Sequence, residues 1–142
     1  MNVITSNIKW IMIIAGLLTC SMIFAVFAPQ STLISMFGET LTEPLAQVVV
    51  RSWGFLIFLM GVLLISGAFN PVYRNLALVL TSISKIAFIF IIFMFGAQYI
   101  DKCLITIVLD SVLVIIFLTY LVKVKSVTYK NIKRKNHRKF GV

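Results

Sequence analysis

Four stretches of this chain, each about 20 residues long and almost wholly apolar, constrain its fold more than any other feature. They run roughly from 8 to 28, 48 to 69, 76 to 97 and 103 to 122. At about 1.5 Å per residue, about 20 helical residues match a hydrocarbon core about 30 Å thick. In that core no water is available to backbone N–H and C=O groups. A long continuous apolar run must therefore satisfy them within itself, which selects helices over strands. The chain has 142 residues, 61% of them hydrophobic and 12% charged, far from the even apolar–polar balance of soluble domains. So small a soluble fold could not bury that much apolar surface. The expectation is an all-α membrane four-helix bundle, up-down-up-down.

The links between runs sharpen the topology. Residues 70–75 join the second and third runs and 98–102 join the third and fourth, so sequence neighbours should be antiparallel neighbours in space. The longer link, 29–47, carries Leu33, Ile34, Phe37 and Leu41 at near-helical spacing, with Ser31 as a candidate cap and Gly38 as a stop. It can lie along the interface as a short amphipathic turn or run as an ordinary loop. The first run has the features of a signal peptide, with Lys9 near its start and Ala-Val-Phe-Ala near its end. It is longer than the usual apolar region of such peptides, however, and Pro29 would follow the cut. A retained helix is expected.

Charge sets the orientation. The net charge is +9, and eight of the 13 Lys and Arg residues lie from Lys123 to Lys139. That tail, Arg74 and Lys9 fall on one side of the bundle; Glu39, Glu43, Asp101 and Lys102 fall on the other. Short loops rich in Lys and Arg stay cytoplasmic, so both termini are expected inside, in a multi-pass membrane protein. Residues 1–122 would form the transmembrane domain and 123–142 a basic cytoplasmic tail. The tail should touch anionic lipid, at about 1 kcal/mol per basic residue near the surface. Tyr129 and Phe140 make no stacking platform, so no nucleic-acid partner is expected.

Three ionisable residues lie inside the runs: Arg51, Lys85 and Asp110. Each charge costs about 2.5–3.5 kcal/mol at a helix centre on insertion scales, so each requires a partner, a cavity or a function. All three occupy the middle-to-outer part of the bundle, with Asp110 about two turns from its helix end and within reach of a long lysine stem. Gln47, Arg51, Gly54, Phe58, Gly61, Ile65 and Ala68 form one stripe by steps of four and three, and Glu43 extends it. Gly54 and Gly61 on that stripe, and Gly16 beside Thr19 and Cys20 on the first helix, allow close helix approach. Phenylalanines 88, 90, 93 and 95 are spread too widely around the third helix to share one face, so some must meet lipid.

Two readings of the polar cluster compete. In one, Lys85 and Asp110 form a buried ion pair that fixes helix register, while Arg51 pairs with Glu43 or snorkels to headgroups. In the other, Arg51, Lys85 and Asp110 line a site for a quinone-like or small anionic ligand, or a proton path. Other chemistries find no residues. His137 lies in the tail, and Cys20 and Cys103 fall in separate runs, so no metal site and no disulfide framework is expected, and no cofactor is called for. Gly-rich phosphate loops, Gly-x-Ser-x-Gly and Cys-x-x-Cys are missing from the sequence, and its four acids do not pair.

Arg51-x-x-Gly54 followed by Gly61 on a second helix, in a four-helix chain of this size, resembles the DoxX-like group of small bacterial membrane proteins. The likeness covers the hydropathy of the whole chain. Some members of that group are associated with quinone-linked oxidoreductases, so the resemblance implies an electron-transfer connection; it assigns no catalytic residue. The leading expectation is an accessory or structural protein with no catalytic activity of its own, in a larger membrane complex or a homo-oligomer. The alternative is a membrane enzyme or carrier using the Arg/Lys/Asp cluster.

Overall fold

The computed structural model describes the backbone of residues 3–140 and the side chains of residues 6–126. The described chain is helical almost throughout. Four segments are long and apolar enough to cross a membrane: Ser6–Phe27, Pro44–Phe69, Pro71–Phe95 and Ala97–Ser126. They correspond to the four apolar runs, with ends displaced by at most six residues. Two extensions have the same cause, because proline at the first helical position has no N–H to lose and a backbone already set for the helix. Pro44 opens helix α4 (Pro44–Phe69) and Pro71 opens α5 (Pro71–Phe95). Asn70 caps α5, its side chain accepting from the Val72 N–H at 3.0 Å.

The first span is not one helix. Helix α1 (Val3–Cys20) gives way to a 3₁₀ turn, Ser21–Ile23, and then to a single α-turn, α2 (Phe24–Phe27). The chain bends at Ala28 and continues as α3 (Pro29–Phe37). The link after the first span thus contains a helix, stopped by Gly38 at φ 77°, where a residue without a Cβ adopts the left-handed conformation freely. Ser31 is not its cap. The helix already begins at Pro29, with Ala28 in the capping position and no side chain serving. A second 3₁₀ turn, Ala97–Tyr99, leads into α6 (Ile100–Phe140), whose backbone runs on through the basic tail. The side chains from Lys130 to Lys139, His137 among them, lie outside the described residues.

The spans pack sequentially: the first on α4, α4 on α5, and α5 on α6. At the end bearing the chain termini all four meet in one core, where Met12, Leu64, Ala68, Ala77, Leu78 and Phe117 have 1% or less of their surface exposed. Arg74 closes this end by donating to the carbonyls of Gly67 and Ala68 at 3.2 and 3.1 Å, two of the four acceptors that a helix C-terminus leaves unpaired. Beside it Lys9 lies 4.8 Å from the ring of Phe69, within cation–π range.

At the opposite end a smaller cluster gathers Ile92, Cys103 and Ile107 with Phe37, Phe88 and Tyr99. Helix α3 lies across this end and touches both α4 and α6. Phe37 packs on Trp53 and Tyr99, with ring centroids 6.3 and 5.7 Å apart. The Tyr99 hydroxyl donates to Glu39 at 2.8 Å, and the Cys103 thiol donates to the Met36 carbonyl at 3.3 Å. The outside of the bundle is apolar. Phe90, Phe93 and Phe95 are 60, 56 and 78% exposed, while Phe88 turns inward. Lipid is the medium that accepts such a surface. The chain is a small multi-pass integral membrane protein with four spans.

Candidate functional site

Between the tight core at one end and α3 at the other, the spans diverge around a cavity of about 440 Å³. All six α-helices contribute residues to its lining. Trp53, Ile57 and Met60, spaced by four and three along α4, make one apolar wall. Phe88 continues it on α5. The polar wall comes from α5 and α6. Thr81, Ser84 and Lys85 face Thr106 and Asp110 across it.

Lys85 Nζ and an Asp110 carboxylate oxygen form an ion pair and charge-assisted hydrogen bond. It links α5 to α6 and is the only such pair among the described residues. Both side chains are largely enclosed, at 12 and 13% exposure. Removal of a charge from water is expensive, and attraction in a low-dielectric interior offsets that cost only when the partners meet closely. Here they do. The pair is also electrically neutral as a unit, a property that governs what the cavity can accept.

Arg51 lies elsewhere. It does not border the cavity, and among the described residues it forms no ion pair with Glu43. Its guanidinium donates instead to the Val26 carbonyl. The bend at Ala28 explains this partner, since α2 ends there and leaves its last carbonyls without helical donors. A cation at a helix C-terminus also meets the negative end of the helix dipole. Both the pairing with Glu43 and the place of Arg51 in a shared pocket are therefore corrected. Replacing Arg51 with Met should cost about 1 kcal/mol, the usual net worth of one hydrogen bond at an exposed position. Thermal unfolding in mild detergent would register this as a small fall in midpoint, with the spans still inserted.

The small residues sit where two helices nearly touch. A Cβ on Gly61 would lie 2.6 Å from Cys20 Sγ and 2.7 Å from the Gly16 carbonyl; one on Gly54 would lie 2.5 Å from the Ala25 Cβ. Gly16 would place its own Cβ 2.6 Å from Ile65 and 2.9 Å from the Gly61 carbonyl. These glycines form the seam between the first span and α4. By drawing the first span onto α4 they leave room for the cavity on the other side.

One participant was not visible in the sequence as part of a site. Thr81 is fully buried, is among the residues lining the cavity, and its hydroxyl has no hydrogen-bond partner among the described residues. It lies one turn before Lys85, and only the packing shows it unpaired. The contribution of α3, through Thr32, Ser35 and Met36, depends likewise on where that helix lands. No group of three or more His, Cys, Asp or Glu residues that could hold a metal ion occurs among the described residues.

No family model, curated protein or solved structure matches this chain. The likeness to the DoxX-like group rests on Arg51, Gly54, Gly61 and the hydropathy of the chain alone.

Proposed function

We propose that this is an accessory or structural protein of the bacterial inner membrane, with both ends in the cytoplasm and no catalytic activity of its own. The observation that carries the reading is the way the intramembrane charges are used. Lys85 and Asp110 are bound to each other across two helices, and Arg51 is bound to the end of a third. Each charge thereby fixes a helix position. The basic tail supports the orientation and would hold anionic lipid on the cytoplasmic side.

Purification of the native chain in mild detergent tests this role. The expected result is a stoichiometric larger membrane partner, or a homo-oligomer, with the isolated protein inert in lipid vesicles. Turnover or solute uptake by the isolated chain in vesicles would refute it. Tags at either terminus should react only after the cells are permeabilised.

The cavity favours a second reading, in which Lys85 and Asp110 face a ligand as well as each other. A volume of about 440 Å³ falls within the usual range for small-molecule sites, as does an apolar lining with a few convergent polar groups. Arg51, which does not border the cavity, has no part in it.

A further inference from the structure

The geometry points to an uncharged amphiphile as the occupant of the cavity, its hydroxyl or carbonyl head beside Thr81 and the Lys85–Asp110 pair and its apolar body along Trp53, Ile57 and Met60. This inference rests on the reading of the cavity as a ligand site and adds the chemical class of the ligand.

The first argument concerns charge. Among the described residues the only ionised groups on the cavity wall are Lys85 and Asp110, and they neutralise each other. An anion entering to meet Lys85 would either bring a net negative charge into a low-dielectric space or displace Asp110 and leave its carboxylate uncompensated. A cation would do the same to Lys85. Breaking such a pair on one side is strongly unfavourable. A neutral head can instead hydrogen-bond to the outer lone pairs and protons of an intact pair.

The second argument is the Thr81 hydroxyl. Elsewhere in the spans, Thr19, Ser82, Ser111 and Thr119 turn their hydroxyls back to the carbonyl four residues earlier, at 2.7–2.8 Å. This is the ordinary solution for a hydroxyl on a helix in an apolar medium. Thr81 makes no such bond, although it is fully buried. An unpaired buried hydroxyl is costly enough that it calls for an explanation. It lies one turn from Lys85, closed off as the cavity stands, and rotation about its Cα–Cβ bond would bring it to a ligand head that both donates and accepts.

The third argument is access. Leu18, Phe24 and Leu109 belong to the lining and are also 58, 66 and 50% exposed on the outer surface. The cavity therefore reaches the face that lipid covers, and a lipid-soluble molecule can enter sideways without crossing water.

Trp53 lies on the wall, and the chain's other tryptophan, Trp10, is on α1 near the opposite end. A Trp10→Phe variant therefore carries a single fluorophore in the cavity. Three probes with one dibrominated C18 chain and different heads would be titrated against it in detergent micelles: octadecanol, octadecanoate and octadecylamine. Bromine quenches tryptophan only at short range.

The expected result is saturable quenching by the alcohol, reversed by unbrominated octadecanol and roughly tenfold tighter than for either charged probe. The near-isosteric Thr81→Val change should weaken it several-fold, and Thr106→Phe, which fills the cavity, should abolish it. Tighter saturable binding of the acid or the amine would overturn the uncharged ligand and leave the cavity a ligand site. Alcohol binding indifferent to Thr81→Val would overturn the placement of the head. Quenching by all three that rises without saturation, untouched by either substitution, would remove the ligand site altogether.

Discussion

Replacing Asp110 with Leu should destabilise the bundle by about 3–5 kcal/mol, whereas replacing Lys85 with Met and Asp110 with Leu together should cost much less. The asymmetry follows from the enclosure of the pair. A single replacement leaves a lone ammonium in the interior, which must lose its charge, draw in water or tear the helices apart. The double replacement removes both charges and fills the space with apolar atoms, which is often neutral or stabilising for a buried pair. Reversible unfolding of the wild type, both single variants and the double variant in mixed micelles gives the coupling directly. If the three variants are equally stable, α5 and α6 are not held by this pair. The double variant then separates the two readings of the cluster. If it inserts stably and the cell keeps its phenotype, the charges are structural. If it inserts stably and a specific activity is lost, they are functional.

The second large effect is expected at the seam between the first span and α4. Gly61→Leu would drive a side chain into Cys20 Sγ, the Cys20 backbone nitrogen and the Gly16 carbonyl, all within 2.6–2.7 Å of the new Cβ. Two of those three atoms are backbone and cannot swing aside, so the helices must separate. Overpacking of a core costs about 1–3 kcal/mol where side chains can adjust, and here the top of that range or beyond is expected. Contact through small residues is also a principal source of helix affinity in lipid, where burial against a neighbour offers little advantage over burial against acyl chains. Gly96→Ala is the control. Its nearest neighbours would be Ile92 atoms 3.3–3.5 Å away, and only a slight change is expected. Loss of the folded band on mild-detergent electrophoresis for Gly61→Leu, with Gly96→Ala unaffected, is the result to look for.

The sequence reveals the spans because lipid imposes a length and an apolarity that few other structures require. Pro44 and Pro71 then move two boundaries outward for reasons internal to proline. Helical periodicity reaches further, placing Gly54, Gly61, Ile65 and Ala68 on one stripe and Trp53, Ile57 and Met60 on another. What periodicity lacks is rotation, the direction each stripe faces once four helices assemble. The contact of Lys85 with Asp110 depends on that rotation, as does the cavity. The partner of Arg51 depends on something more local, the bend at Ala28 that leaves the Val26 carbonyl available. Spacing along one helix offers Arg51 only Glu43 or the headgroups, because an acceptor on another segment depends on a bend that the apolar run does not reveal. Ser31, the candidate cap, is not used, since Pro29 starts the helix before it.

The mutual neutralisation of Lys85 and Asp110 also bears on how this protein experiences membrane voltage. A lone elementary charge moving across the full field gains or loses about 2.3 kcal/mol per 100 mV. Two opposite charges held in contact and moving together present the field with almost nothing to pull on. Bending or tilting of α5 against α6 in this half of the bundle should therefore proceed alike in energised and de-energised cells.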